Sequence, residues 1–195
     1  MLRLHYLAGL AFLVLSLAAV SLRETRSDGP RAEPPMPAGG LASGTDGAIW
    51  FQVVKPFCNA LEVESATTRL PAPHTLEGSG YAAACFAIAG RIDRARELLE
   101  AVEPAHRWRA AGIVFEIGHP IADAGDDRSA GPIMELVAEF WPNHYMALYH
   151  AGAAEFDLGQ TERARAHLQA FLKTYDVEDG WRESARDMLS RIDRR

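Results

Sequence analysis

Three segments of the chain share one spacing of small and large apolar residues, each centred on a glycine. In each segment a small residue precedes the glycine by seven positions, a second small residue follows it by five, and a large apolar residue follows it by nine. The glycines are Gly90, Gly125 and Gly159; the small residues are Ala83, Gly118, Gly152, Ala95, Ala130 and Ala164; the large ones are Leu99, Met134 and Leu168. Small residues let two helices approach closely and large ones fill the groove between them. The pattern therefore predicts three helical hairpins that turn at the glycines.

The distances between these glycines, 35 residues and then 34, define a sequence repeat. A period near 34 residues, with a first helix rich in small residues, a tight turn and a second helix, resembles the tetratricopeptide repeat (TPR) over residues 76–178. Further agreements are Val114 and Leu148 early in the first helix, Phe86 and Ile121 at its aromatic position, and Pro142 at a repeat end. Several residues depart from the repeat pattern. Ser79 stands at the early apolar position and Glu155 at the aromatic one. Alanine is usual where the chain has Val102, Val137 and Phe171, and the closing proline is replaced by Arg107 and Asp176.

The resemblance implies an all-α protein, an α-solenoid of about three TPR-like helical hairpins. Residues 46–75 then form a degenerate leading hairpin, and residues 179–195 form a C-terminal capping helix with Asp179 as its N-cap. A short strand at residues 61–64 is the alternative for part of the leading section. Pro120 is expected to kink or stop its helix near Gly118, because proline removes a backbone hydrogen bond. We expect seven or eight helices and little or no strand.

Members of this family bind other proteins and perform no chemistry themselves, so the resemblance implies a scaffold that is not an enzyme and needs no cofactor. Their partners lie in a concave groove lined by residues of the first helices. Carried over by position from the turn glycines, the groove residues are Phe115, His119, Asp123, Met146, Tyr149, Phe156 and Asp157. We expect the aromatic ones to face an open strip rather than the core, and the partner to be a peptide or a protein helix.

The N-terminal part of the sequence carries a separate signal. Residues 7–22 contain no charged side chain and follow Arg3, which is typical of a secretory signal peptide or a signal anchor within residues 1–23. Residues 24–45 are rich in Pro, Gly, Ala and Ser and are interpreted as a linker. We favour an uncleaved membrane anchor with the folded body outside the cytoplasm. An exported soluble protein and a body that faces the cytoplasm are the alternatives.

The charge balance argues against one class of partner. The chain has 20 basic and 26 acidic residues, a formal net charge of -6. Binding to nucleic acid requires clustered lysine and arginine to neutralise phosphates, so we expect no nucleic-acid partner. Composition is otherwise ordinary for a globular protein, with 48% hydrophobic and 24% charged residues.

One turn offers chemistry beyond binding. Asp123, Asp126 and Asp127 surround Gly125, and His119 lies one helical turn earlier, a donor set that suits a divalent cation or an acid-base pair. Aspartates at such turns more often cap helices, and we favour that structural role, so no metal site is assigned. A metal-dependent or enzymatic module built on these four residues stays an alternative. A purely structural subunit of an envelope complex is another.

Two histidines and two cysteines are further candidates for ligands or bridges. His144 and His150 are six residues apart, which places them on different helix faces and makes them poor joint ligands. Cys58 and Cys85 are candidates for a disulfide if the body is exported, since oxidising compartments favour such bonds. Cys85 falls at a small, buried position of its helix, however, where a free thiol packs as a small hydrophobe. We favour the unpaired interpretation.

Overall fold

The structure is a computed structural model that describes residues 45–194, and these residues form nine α-helices, two short 3-10 turns and no strand. The helices are α1 Thr45–Val54, α2 Val63–Arg69, α3 Leu76–Ile88, α4 Ile92–Glu100, α5 Arg107–Asp123, α6 Asp127–Phe140, α7 Tyr145–Asp157, α8 Thr161–Thr174 and α9 Gly180–Asp193. The 3-10 turns are Lys55–Phe57 and Pro104–His106. The predicted all-α class is confirmed, with nine helices where seven or eight were expected.

The three turn glycines end α3, α5 and α7 in one and the same way. Gly90, Gly125 and Gly159 have φ values of 74°, 83° and 73°, and they alone among the described residues have positive φ. After α5 the amide of Gly125 donates to the carbonyl of Ala122 at 2.8 Å, and the next amide donates to the carbonyl of Ile121 at 3.2 Å. The same pair of bonds follows α3 and α7. This is the Schellman geometry, in which glycine avoids the Cβ clash of a left-handed residue.

The hairpins pack tightly within themselves but stack on one another in two different ways. α3 packs against α4, α5 against α6, and α7 against α8. α5 also lies along α3, so the first two hairpins meet through their first helices. α7 instead lies along α6, the second helix of the preceding hairpin, and its backbone makes few close approaches to α5. The space between α5 and α7 is consequently closed by side chains.

Helix crossings occur at the small residues that the spacing singled out. A Cβ placed on Gly118 would lie 2.7 Å from Cγ2 of Ile133, and one placed on Gly152 would lie 2.8 Å from Cγ of Leu168. Ala130 and Ala164, on the opposing helices, are fully buried. These crossings hold the apolar core of each hairpin together because the backbones approach closely only where side chains are minimal.

The leading section is helical, and the alternative of a strand at residues 61–64 is wrong. Val63 and Glu64 begin α2, because the side-chain oxygen of Asn59 accepts from the amides of Leu61 and Glu62, at 3.1 and 3.2 Å, and turns the chain into the helix. α1 packs on α3 through its buried face, where the ring of Phe51 stacks on Tyr81 with centroids 5.2 Å apart.

A disulfide joins the leading section to the first hairpin. Cys58, just after the first 3-10 turn, is bonded to Cys85 of α3 with a Cα–Cα distance of 4.9 Å. Cys85 is fully buried as expected, but the favoured interpretation of an unpaired thiol is wrong. Its helix position brings it within bonding distance of a cysteine that the sequence places 27 residues away. In the chain-entropy model, closing a loop of that size stabilises the fold by about 3–4 kcal/mol.

Pro120 does not stop its helix at Gly118, because α5 continues to Asp123. The last turn is held by the amide of Ala124, which donates to the carbonyl of Pro120 at 3.1 Å, and by the bonds of the Gly125 turn. Proline lacks its own amide donor and its ring crowds the carbonyl four residues back, but the residues after it still donate their helical hydrogen bonds, so the helix extends one turn beyond Pro120.

The predicted signal segment, residues 1–23, and nearly all of the predicted linker, residues 24–45, lie outside the described residues. α1 begins at Thr45. Among the described helices, none has the length and apolar character needed to cross a membrane.

The crossing at Gly152 can be tested with one methyl group. Gly152→Ala should lower the free energy of unfolding by about 1–3 kcal/mol, because the new Cβ overlaps Leu168 in a packed crossing. Gly180→Ala is the matched control, since a Cβ at the first residue of α9 meets nothing within 4 Å. Urea unfolding of the two full-length variants measures the difference. Equal midpoints for both variants would show that the crossing at Gly152 is not close.

Candidate functional site

A continuous run of aromatic and imidazole rings fills the space between α5 and α7 and continues to α9; we call it the ring seam. From Trp108 it passes to Trp141 at 5.1 Å between centroids, to His144 at 4.5 Å and to Phe115 at 4.0 Å. From Phe115 it passes to His119 at 4.5 Å, to His150 at 5.1 Å and to Trp181 at 5.6 Å. Tyr149 contacts both His150 and Trp181. The seam thus replaces the backbone packing that α5 and α7 lack.

The aromatic residues expected in an open groove are buried, so that expectation is wrong. Phe115, Tyr149 and Phe156 are 4, 9 and 7% exposed. Phe115 packs inside the ring seam, whereas the other two are covered by α9. The hydroxyl of Tyr149 donates to Oγ of Ser184 at 2.9 Å, and the guanidinium of Arg191 lies 4.7 Å from the ring centre of Phe156.

The other expected groove residues are more accessible. Asp123 and Asp157 are exposed, and His119 and Met146 are half-buried. The first-helix face on the third hairpin is therefore a packing surface for the chain's own last helix, with only its edge open. The capping helix was expected, but its coverage of Tyr149 was not, because Trp181 reaches that ring from 32 residues further along the chain.

Part of the predicted histidine and aspartate cluster does come together. Nε2 of His119 lies 3.5 Å from Oδ1 of Asp123, and one ligand atom from each of His119, Asp123 and His150 lies within 4.8 Å of the others. Nδ1 of His150 is 3.6 Å from Oδ1 of Asp127. Asp126 points elsewhere, since it caps α6 by accepting from the amide of Ser129 at 3.1 Å. The structure thus replaces Asp126 with His150 in the candidate cluster.

His150 was missed because sequence reasoning compared it only with His144 on the same helix. The two rings do lie apart, since His144 is the N-cap that precedes α7 and His150 lies within the helix. His150 faces α5 because α7 lies along α6, a tertiary arrangement that no local spacing encodes. The signal that could have indicated their contact is that His119 and His150 both lie in first helices, of the second and the third hairpin.

His144 has a different role from the other two imidazoles. It is 3% exposed, and its Nδ1 accepts from the amide of Ala147 at 3.3 Å, so it caps α7. Burial lowers the pKa of His144 to about 4, which keeps its ring neutral near pH 7. A neutral ring is what an accepting N-cap requires.

A second polar cluster lies on the opposite side of α7, toward α8. Glu155 is fully buried; its carboxylate is 2.7 Å from Nδ1 of His167 and 3.1 Å from Nε of Arg163. Burial raises the pKa of Glu155, and its two partners only partly offset this. Arg163 also pairs with Glu135, and the cluster opens onto a cleft of ≈ 400 Å³ between α4, α6 and α8. The position where the repeat pattern usually has an aromatic residue thus holds a buried ion network.

Comparisons with protein-family models, with curated proteins and with solved structures find no significant match to the chain. The resemblance to the tetratricopeptide repeat therefore rests on the residue spacing described above.

The burial of the groove residues can be measured directly. Phe156→Ala should lower the free energy of unfolding by about 3–5 kcal/mol, the usual cost of emptying a buried aromatic site. Tyr149→Phe removes only the hydroxyl bonded to Ser184 and should lower it by about 1 kcal/mol. Denaturant unfolding of each variant tests both values. If neither variant changes stability, these rings face an open strip after all.

Glu155 should make stability depend on pH. Its raised pKa means that the folded protein keeps a proton that the unfolded chain releases near the ordinary value of 4.5. The stability that Glu155 contributes is therefore complete below that value and is lost as pH rises through the raised folded pKa. Glu155→Gln has no such proton to lose. Its stability relative to wild type should rise as pH increases from below 4.5 to neutrality.

Urea unfolding at a series of pH values measures this difference. Glu162→Gln, an exposed glutamate of α8, controls for the loss of one negative charge. A difference between Glu155→Gln and wild type that stays constant across the series would contradict a raised pKa.

Proposed function

We propose that the protein is a non-catalytic helical-repeat scaffold that binds another protein, with its N-terminal segment holding it at the outer face of a membrane. The helical hairpins with identical turns support the scaffold, and the uncharged segment at residues 7–22 supports the location. The partner is a helix or an extended peptide of another chain. The observation that carries the binding role is the outer face of α1.

α1 is apolar on both of its sides. Trp50, Phe51 and Val54 are buried against the rest of the domain. Ile49 and Val53, spaced one helical turn apart on the other side, are 58 and 55% exposed. Phe57, one further turn along and in the 3-10 segment, is 39% exposed. These three side chains form what we call the α1 stripe.

A terminal helix of a repeat protein normally has a polar outer face, because nothing further along the repeats covers it. α1 is the first of the described helices, yet the α1 stripe has the spacing of a helix in the middle of such an array, with apolar side chains four residues apart on a side that the other described residues leave largely exposed. An amphipathic partner helix with the same spacing would bury these side chains as the next element of the array. The first-helix groove that the family resemblance implied is a weaker candidate for the binding surface, since α9 already covers Tyr149 and Phe156.

The disulfide supports this role for α1. The bond from Cys58 to Cys85 fixes the end of the α1 segment to α3, and Nε1 of Trp50 donates to the carbonyl of Leu70 at 2.8 Å. The disulfide and this hydrogen bond therefore restrain the backbone that carries the α1 stripe. A preorganised surface loses less conformational entropy when a partner binds.

A photo-crosslinking amino acid at Val53 in the full-length protein, expressed in its native membranes, tests the proposal. We expect a crosslink to one other protein that is lost when Ile49→Glu is added. A probe at Leu158, which is also apolar and is 43% exposed, is the matched control and should not capture the same protein.

Other products would contradict the proposal. Crosslinks from Val53 only to lipid would make the stripe a membrane contact, and crosslinks only to a second copy of the chain would make it a self-association surface. Identical capture by the Val53 and Leu158 probes would show that the α1 stripe has no specific partner.

A further inference from the structure

His150 is a buried side chain whose polar atoms have no hydrogen bond. It is 3% exposed, and neither ring nitrogen has a hydrogen-bond partner among the described residues. Nearly all buried polar groups in folded proteins are paired, and an exception calls for a specific explanation, such as a bound ion. Tyr149 and Trp181 meet the imidazole edge to face and supply no acceptor to it.

The surroundings of His150 are those of a metal ligand. Its ring faces His119 and Asp123, and the three residues each offer one ligand atom within 4.8 Å of the others. His119 Nε2 and Asp123 Oδ1 are already 3.5 Å apart. Around a tetrahedral zinc ion with bonds of about 2.0–2.2 Å, neighbouring ligand atoms lie about 3.4 Å apart. A small inward shift of His150 therefore completes the set.

We propose that His119, Asp123 and His150 bind a divalent transition-metal ion of the zinc type. Two imidazoles and one carboxylate suit such an ion, whereas calcium and magnesium prefer oxygen ligands only. Asp127, with Oδ1 3.6 Å from Nδ1 of His150, lies where a supporting carboxylate holds the orientation of a ligating histidine. No ligand beyond the three is required from the protein, since water completes the coordination of many zinc sites.

The site is accessible and has a structural consequence. The side chain of Asp123 is 47% exposed and that of His119 is 16% exposed, so an ion can enter from the solvent side of α5. His150 lies behind them on α7 and is covered by Trp181 of α9. The ion therefore joins the first helices of the second and third hairpins, which make few backbone contacts of their own.

The test uses the full-length protein without a histidine tag, stripped of metal with a chelator, and Zn²⁺ alone as the ligand. Isothermal titration calorimetry should show one site per chain. Asp123→Asn and His150→Gln should each weaken Zn²⁺ affinity by at least the 10–100-fold that loss of a supporting residue causes, and Asp127→Asn should fall within that range. Co²⁺ should give visible absorption bands in the wild type that Asp123→Asn abolishes.

Two matched controls separate ligation from folding. Asp126→Asn changes a carboxylate of the same turn that caps α6, and His144→Gln changes a buried imidazole of the same ring seam that caps α7. Both should keep the wild-type affinity. Asp123→Asn preserves shape at an exposed side chain, so its result stands even if His150→Gln fails to fold.

Three outcomes would overturn the proposal. They are the absence of stoichiometric Zn²⁺ binding in the wild type, binding that Asp123→Asn leaves unchanged, and equal losses in the ligand and control variants. The first would mean that water alone occupies the site, and the second that the ion binds other surface donors. None of these results depends on whether the α1 stripe binds a partner.

Discussion

The close crossing of the two helices in each hairpin is the constraint on which the fold depends. At Gly118 and Gly152 a single added carbon would overlap the opposing helix, and the alanines across the crossings are fully buried. The turn glycines, with their positive φ, return the chain at the angle that these crossings need. Helix separation and turn geometry are thus set together by a few residues without large side chains. The larger side chains of the core pack around the helix separations that these small residues set.

These local constraints do not determine how one hairpin lies on the next. α5 lies along α3, but α7 lies along α6, although the glycine turns that end α3 and α5 are the same. The ring seam follows from this second arrangement, because large side chains are needed to bridge two helices whose backbones stay apart. Its contacts between Phe115, His119, His144 and His150 are therefore tertiary in origin. His150 lies in this seam with no hydrogen bond to either ring nitrogen, although Oδ1 of Asp127 is 3.6 Å from its Nδ1.

The parts of the fold that the sequence predicted are those that short spacings control. The helices, the glycine turns and the cap at Asp179 depend on residues within one or two helical turns of each other. The groove could not be predicted in this way, because family positions transfer to exposed sites only if hairpins stack regularly. Here α9 covers Tyr149 and Phe156 instead. Local spacing could not predict two other contacts for the same reason, since each joins separate elements. They are the disulfide between Cys58 and Cys85 and the ring contact between His119 and His150.

The two proposed sites place different demands on the same scaffold. The α1 stripe needs a rigid backbone under exposed apolar side chains, and the disulfide and the contact of α1 with α3 supply it. The histidine site needs two helices held at a distance that backbone packing alone does not fix. A bound ion would add that restraint at the junction where α5 and α7 make few contacts. Leaving a buried imidazole unpaired costs about 1–3 kcal/mol, so metal binding at this junction would both satisfy His150 and fix the third hairpin relative to the second.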